Sequence, residues 1–223
     1  MAQEPISMQA ARGARAKIYQ AAVRLFAENG GGAVTVSELA EAAGIARGTI
    51  YNNITEPENL FGEVAGFLAR EMLSRTEATM ESFVDPVERI ATGLRLFVRR
   101  AHEDQDWGRF LVRFMLSHSA LRDMMRGPPA RDISQAIAAG RFRIADEQVA
   151  AFVTTLTGTT IAAMNAVICG DQTWRDAGSN AAELILRAAS LPAPQARRIS
   201  RRELPPLAST VEDKISQRKR RSA

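Results

Sequence analysis

Residues 35–54 read TVSELAEAAGIARGTIYNNI, and the fold follows from how this stretch must be arranged. Thr35 with Glu38 three residues later is a capping box that opens a helix. Val36, Leu39, Ala40 and Ala43 give that helix an apolar face at helical spacing. Gly44 stops it, because glycine turns through positive φ without a Cβ clash. A second short helix is predicted over 47–53. Ala40 is small where the two helices must approach, and Ile45 and Ile50 face inward to hold the second against the first. Small residue, turn glycine and buried aliphatic in this order form a helix-turn-helix pattern. The second helix presents Ala46, Arg47, Thr49, Tyr51, Asn52 and Asn53 outward. These side chains are mostly short and polar, as an element lying deep in a major groove requires. Asparagine pairs bidentately with adenine and arginine with guanine, while hydroxyls suit phosphate oxygens. The apolar ring of Tyr51 fits a core as well as a DNA face.

The flanking sequence is read as helical throughout. Ile18, Ala21, Ala22, Leu25 and Phe26 mark one face of a helix over 14–29, ended by Gly30, Gly31 and Gly32. Residues 55–58 break and restart the chain, with Pro57 suited to a first helical turn. Further helices are expected over 58–82, 85–102, 107–118, 121–125, 130–139, from 147 onward, and 174–190, with a strong break at Gly127-Pro128-Pro129. No alternating β-branched run makes a strand, so the fold class is all-α: a three-helix head and a helical-bundle body.

Composition removes several function classes. One cysteine allows no intrachain disulfide, and His102 and His118 lie apart without cysteine neighbours. No metal-site spacing exists and no cofactor is expected. The 22 residues from Val149 to Gly170 carry no charge and are long enough to span a bilayer. Five threonines and Asn165 interrupt them, and acids rather than basic anchors flank them, so a buried soluble helix is expected and no membrane. A cytoplasmic location fits the cysteine usage. The net charge of +4 misleads: residues 195–223 hold nine basic and three acidic residues, and the chain without them is at −2. Basicity is therefore no argument for DNA binding by the head.

Residues 14–65 resemble the TetR family head, named for the tetracycline repressor. The resemblance runs through Ile18 to Gly30, Thr35-Val36-Ser37, Leu39-Ala40, Ala43 to Tyr51, and Leu60. It implies a homodimer on double-stranded operator DNA, acting as a repressor released by a small-molecule effector. It implies phosphate contacts from Thr35 and Tyr51, base-edge positions for Arg47, Thr49 and Asn52, and a phosphate position for Asn53. Ser37 and Ala46 complete the expected DNA-binding set. Two residues depart from the family pattern. Ile54 stands where phenylalanine is usual, and Pro57 where a phosphate-binding lysine is common, which shifts weight to Arg12, Arg15 and Lys17.

The body is expected to carry the ligand and the dimer. Phe67, Met72, Met80, Phe97, Phe110, Phe114, Met115, Met124 and Met125 are core residues by default, and as a set they suit an adaptable apolar cavity. The candidate pocket comprises Phe67, Phe97, Phe110 and Phe114, with His102, Trp107 and His118 for polar recognition. Gly158, Ala162 and Ala166, spaced by four, let a second helix approach. With Thr155, Leu184 and Leu186 they are the candidate dimer interface, which the resemblance places on helices 147–169 and 174–190. The domain reading is a flexible arm over 1–13, a DNA-binding head over 14–57, a ligand-binding and dimerisation body over 58–191, and a basic, Pro/Arg-rich, largely disordered tail over 192–223. Within that tail, residues 193–200 have room for a short helix. A helical enzyme using His102 or His118 with Glu103 or Asp104 lacks a nucleophile, a phosphate loop and a metal cluster, so no enzyme is expected. The remaining alternative is a helix-turn-helix architectural protein without a ligand.

Overall fold

The computed structural model describes residues 6–29, 34–54 and 59–209, and no strand occurs among them. The Gly30–Gly32 stop, the break around Pro57, the side chain of Arg12 and the basic end over 210–223 lie outside the described residues. The head consists of α1 (Ile6–Asn29), α2 (Val36–Ala43) and α3 (Arg47–Asn53). Its core is Ile18, Ala22, Phe26, Leu39, Ala40, Ile50 and Ile54, all buried. The Ile54 variation is thus a core residue, as expected. One boundary moves: α1 starts at Ile6 rather than at residue 14, so part of the expected arm is helical and Gly13 sits inside the helix.

The body begins with α4 (Leu60–Thr79) and continues through α5 (Pro86–Glu103), α6 (Gln105–Phe114), α7 (Ser119–Arg126) and α8 (Pro128–Ala138). A 3-10 turn (Asp146–Gln148) leads into α9 (Val149–Ile168), followed by α10 (Trp174–Ala188) and α11 (Ala193–Ser200). Pro128 and Pro129 lie in the first turn of α8, where a missing N–H costs nothing, and so start a helix there. α5 is the centre of the bundle and touches α6, α8, α9, α10 and α11. Its start is fixed by Asp85, whose carboxylate accepts from the Val87 amide at 2.9 Å. Asp104 starts α6 by accepting from the Trp107 amide at 3.1 Å.

α5, α6 and α9 converge on Gly108. A Cβ there would stand 3.0 Å from Ala101 Cβ and Ile168 Cδ1 and 3.1 Å from Ala101 Cα. Gly108→Ala is therefore expected to lower stability by about 1–3 kcal/mol through overpacking, read as a lower urea midpoint. An unchanged midpoint would mean that these helices shift freely.

The apolar segment Asp146–Ile168 has the length and composition to cross a membrane. Phe152, Leu156, Met164 and Val167 on one side of α9 are buried against the bundle. The threonine hydroxyls are spent internally: Thr154, Thr155, Thr157 and Thr160 donate to the carbonyls of Ala150, Ala151, Val153 and Leu156 at 2.8–3.0 Å. One side of α9 is thus a core face, and these four hydroxyls bond within the helix.

The expected disordered tail is corrected over 192–209. α11 buries Ala196, Ile199 and Ser200, and Glu183 of α10 pairs with Arg197 at 3.4 Å. The strand-free strap over 201–209 then returns to α4. Arg75 Nε donates to the Ala208 carbonyl at 2.7 Å, and the Ala208 amide donates to Thr79 Oγ1 at 2.8 Å. Leu204 and Leu207 pack on the core. Composition alone missed this because the partners lie far away in sequence.

Candidate nucleic-acid interface

The helix-turn-helix is built as its sequence dictates. Gly44 adopts φ 63° and ψ 40°, its amide donates to Glu41 O at 3.1 Å, and Ile45 N donates to Ala40 O at 3.1 Å. These bonds satisfy the last carbonyls of α2 and set the turn. Ile50 is fully buried beneath α3, while Tyr51 is 60% exposed. That exposure decides between the two roles open to Tyr51: its ring is outside the core. Ala46, Arg47 and Asn52 are exposed with it, as are Thr35 and Ser37 at the start of α2.

Three expected contacts are modified. Asn53 is half-buried, and its amide donates to the Thr49 carbonyl at 2.8 Å. That bond closes the end of α3 and leaves one N–H and the amide oxygen for DNA. Thr35 is also occupied: its amide and hydroxyl donate to Glu38 Oε2 at 2.8 and 2.7 Å, and the hydroxyl accepts from Glu38 N at 3.2 Å. The first-turn amides of Val36 and Ser37 precede any intrahelical partner and are the available donors there. Arg15, expected to reach DNA, donates to Tyr19 Oη at 2.9 Å, which in turn approaches Glu63 at 3.4 Å. Lys17 is exposed.

The hydrogen bonds from Thr35 hold the Glu38 carboxyl below its ordinary value. A lowered acid stabilises the fold above the ordinary carboxylate range and loses that contribution as pH falls through its folded value. Acidification is expected to speed amide exchange in the first turn of α2, and Glu38→Gln to remove this pH step. Identical pH dependence in both proteins would refute it.

In the body, an apolar cavity of about 40 Å³ lies between α4, α5, α7, α8 and α9. Leu73, Met80, Leu94, Phe97, Met124 and Met125 contribute walls, and Arg89 and Asp132 border it. Arg89 Nε donates to Asp132 Oδ2 at 3.1 Å, Nη1 to Met80 O at 2.9 Å and Nη2 to Glu77 Oε1 at 2.8 Å. Arg131 reaches Glu77 and Asp132 at 3.1 and 3.2 Å. Asp132 is buried at 3% exposure, so this is an ion cluster inside the protein and not a surface ornament.

Of the seven residues expected to form the pocket, Phe97 alone borders this cavity. His102 is exposed at the end of α5, which removes it from the pocket. Phe110, Phe114 and His118 instead join Phe26 and Phe61 in an aromatic cluster with ring centroids 4.8–6.3 Å apart, seating α1 on α4 and α6. Phe67 packs on Tyr19 at 4.6 Å. Phe67 and Trp107 border a separate polar cleft of about 520 Å³, beside Glu71, Arg75 and Arg100. Arg89 and Asp132 were missed by sequence reading. A signal existed for Arg89, which lies one and two turns before Gly93 and Phe97 on the same face of α5.

Most residues of the candidate dimer face lie on the surface of the single chain. Thr155, Gly158 and Ala162 are exposed, Ala166 is half-exposed, and Leu184 is 60% exposed. Leu186 is corrected: it is fully buried inside its own subunit.

Comparison with known proteins gives a consistent picture. Residues 18–63 match the family described as bacterial regulatory proteins, tetR family, and residues 85–202 match the tetracyclin repressor-like C-terminal domain. The HTH-type transcriptional repressor KstR2 of Mycolicibacterium smegmatis is 31% identical over 94 residues; the match spans 42% of this chain and 44% of that protein's length. RolR in complex with resorcinol is 30% identical with a TM-score of 0.66, over 90% of this chain and 100% of that one. TylP, a tetR regulator from Streptomyces fradiae, shares the fold at 19% identity and a TM-score of 0.64, over 97% and 99% of the two chains.

Proposed function

The chain belongs to the tetR family of bacterial regulatory proteins, and from that premise we propose that it is a cytoplasmic homodimeric repressor, released from a roughly palindromic operator by a small effector. The observation that carries the DNA reading is the division of α3: Ile50 is buried while Arg47, Tyr51 and Asn52 are exposed. A two-fold dimer sets two such helices about 34 Å apart, one turn of DNA. Thr155, Gly158, Ala162 and Ala166 of α9 and Leu184 of α10 form its interface. Their small size and the inward bonding of Thr155 suit close helix packing.

The effector is a small ring compound carrying hydroxyls, of the kind of resorcinol, the ligand in the RolR complex. Apolar walls with Arg89 and Asp132 at one side match that chemistry. At about 40 Å³ the cavity is too small for a ring, far below the ~300 Å³ of typical ligand pockets. The effector must therefore select a conformation in which Met80, Met124 and Met125 have moved. Leu73, Thr76, Glu77 and Met80 line the cavity from one end of α4, and Leu60 at the other end belongs to the core shared with the head. A pendulum-like shift of α4 changes the spacing of the two heads. The small cavity also favours a second reading, a regulator without any effector. A rise in melting temperature with resorcinol would argue against it.

The deciding experiment is binding to the DNA flanking the protein's own gene, against random duplex, across a salt series. We expect a preference of about a thousandfold, with two protomers per site. Tyr51→Ala and Asn52→Ala should each weaken operator binding about tenfold or more. Equal and steeply salt-dependent binding to both duplexes, persisting in a chain ended at Ser209, would overturn the proposal for that DNA.

A further inference from the structure

α5, α10 and the strap after α11 line a further, open pocket of about 360 Å³ on the body. Five arginines line it: Arg95, Arg99, Arg175, Arg201 and Arg202. Two are answered locally, Arg99 by Glu103 at 2.7 Å and Arg202 by Glu88. The other three side chains ion-pair with no acid among the described residues, and Glu203 is the single carboxylate on the wall.

Arg95 is the telling member. It is 8% exposed, and its guanidinium makes no hydrogen bond to any described residue. Its stem runs past Gly178 of α10, where a Cβ would meet Arg95 Cγ at 3.4 Å and Arg95 Cα at 3.6 Å. The glycine lets α10 close over the stem while the charged end borders the pocket. Its guanidinium is partly withdrawn from water, has no fixed counter-charge, and borders a pocket that an anion can enter. Burial alone pushes this guanidinium below its ordinary value, with no carboxylate opposing the effect.

The other groups are arranged around it. The Arg175 guanidinium lies 4.3 Å from the centroid of the Trp174 ring and that of Arg99 5.3 Å from it. The indole thus holds the charge of Arg175, beside the already paired Arg99, at the edge of the pocket. The Ser179 hydroxyl adds a neutral donor to the wall.

We propose that this pocket is an anion site that takes a small phosphate-bearing molecule. Three uncompensated arginines against one carboxylate match a dianion. Guanidinium forks bind oxyanions through paired oxygens, and a phosphate brings more charge and more acceptor oxygens to one point than a single carboxylate does. The site is separate from the apolar cavity and stands whether or not the operator reading holds.

The test uses the full-length protein and inorganic phosphate as probe, at ionic strength matched with sodium chloride. Phosphate is expected to raise the melting temperature with millimolar or tighter affinity, and succinate to do so more weakly. Arg95→Met should weaken phosphate binding at least about tenfold, the loss of one charge-assisted hydrogen bond or more. Arg175→Ala combined with Arg201→Ala removes two exposed cations and should have the same effect, so the test holds even if Arg95→Met misfolds. No shift beyond the chloride control, an unchanged shift in the variants, or a preference for succinate would each overturn the proposal.

Discussion

Phe110→Ala is expected to lower stability by about 4 kcal/mol, the range for an aromatic truncated inside a core. Phe110 is fully buried, and its ring meets Phe26 of α1, Phe61 of α4 and Phe114 of α6. A cavity at this junction removes contacts on all three helices at once, and the rings around it are too rigid to close the gap. The urea midpoint should fall accordingly. The same variant should also respond poorly to effector, because α1 would no longer follow α4. A loss under about 1 kcal/mol would show that the cluster collapses around the gap, and that the aromatic contacts do not bind head to body.

Arg89→Met should be the second large effect, at roughly 3 kcal/mol. The substitution keeps an apolar stem but strands Asp132, which is 3% exposed and then has only Arg131, a half-exposed arginine, beside it. Glu77 and the Met80 carbonyl lose a donor in the same step. The double variant Arg89→Met with Asp132→Leu should recover much of this loss, because a buried pair replaced by apolar groups is often close to neutral. Melting the wild type, both single variants and the double variant closes the cycle. If the single Arg89 variant is no less stable than the double one, the pair does not bear on stability.

The two halves of the molecule were unequally legible. The head could be read because its signals are local. Thr35 and Glu38 make the cap of α2, Gly44 makes the turn, and Ile50 lies under α3, all within one short stretch. The pocket could not be read in the same way. Spacing says that Phe110 and Phe114 are buried but not which helices bury them, and the partners turned out to be α1 and α4. Leu184 and Leu186 differ by two residues and therefore point to different sides of α10; periodicity alone left open which one faced outward. The strap failed for a related reason. Pro205, Pro206 and the arginines beside them resemble a disordered tail by composition, while Leu204 and Leu207 find a core built by residues far upstream.

The bonds between Ala208 and α4 span 129 and 133 residues of sequence. During synthesis the head has all its core residues early and can fold as soon as it clears the ribosome. α4 cannot receive these two hydrogen bonds until residues around 208 have emerged. In the proposed mechanism α4 is the lever, and it is therefore fastened long after the head has formed. A chain stalled before residue 208 would carry a formed head on an unfastened α4, and on the proposed mechanism it would bind DNA but answer an effector poorly.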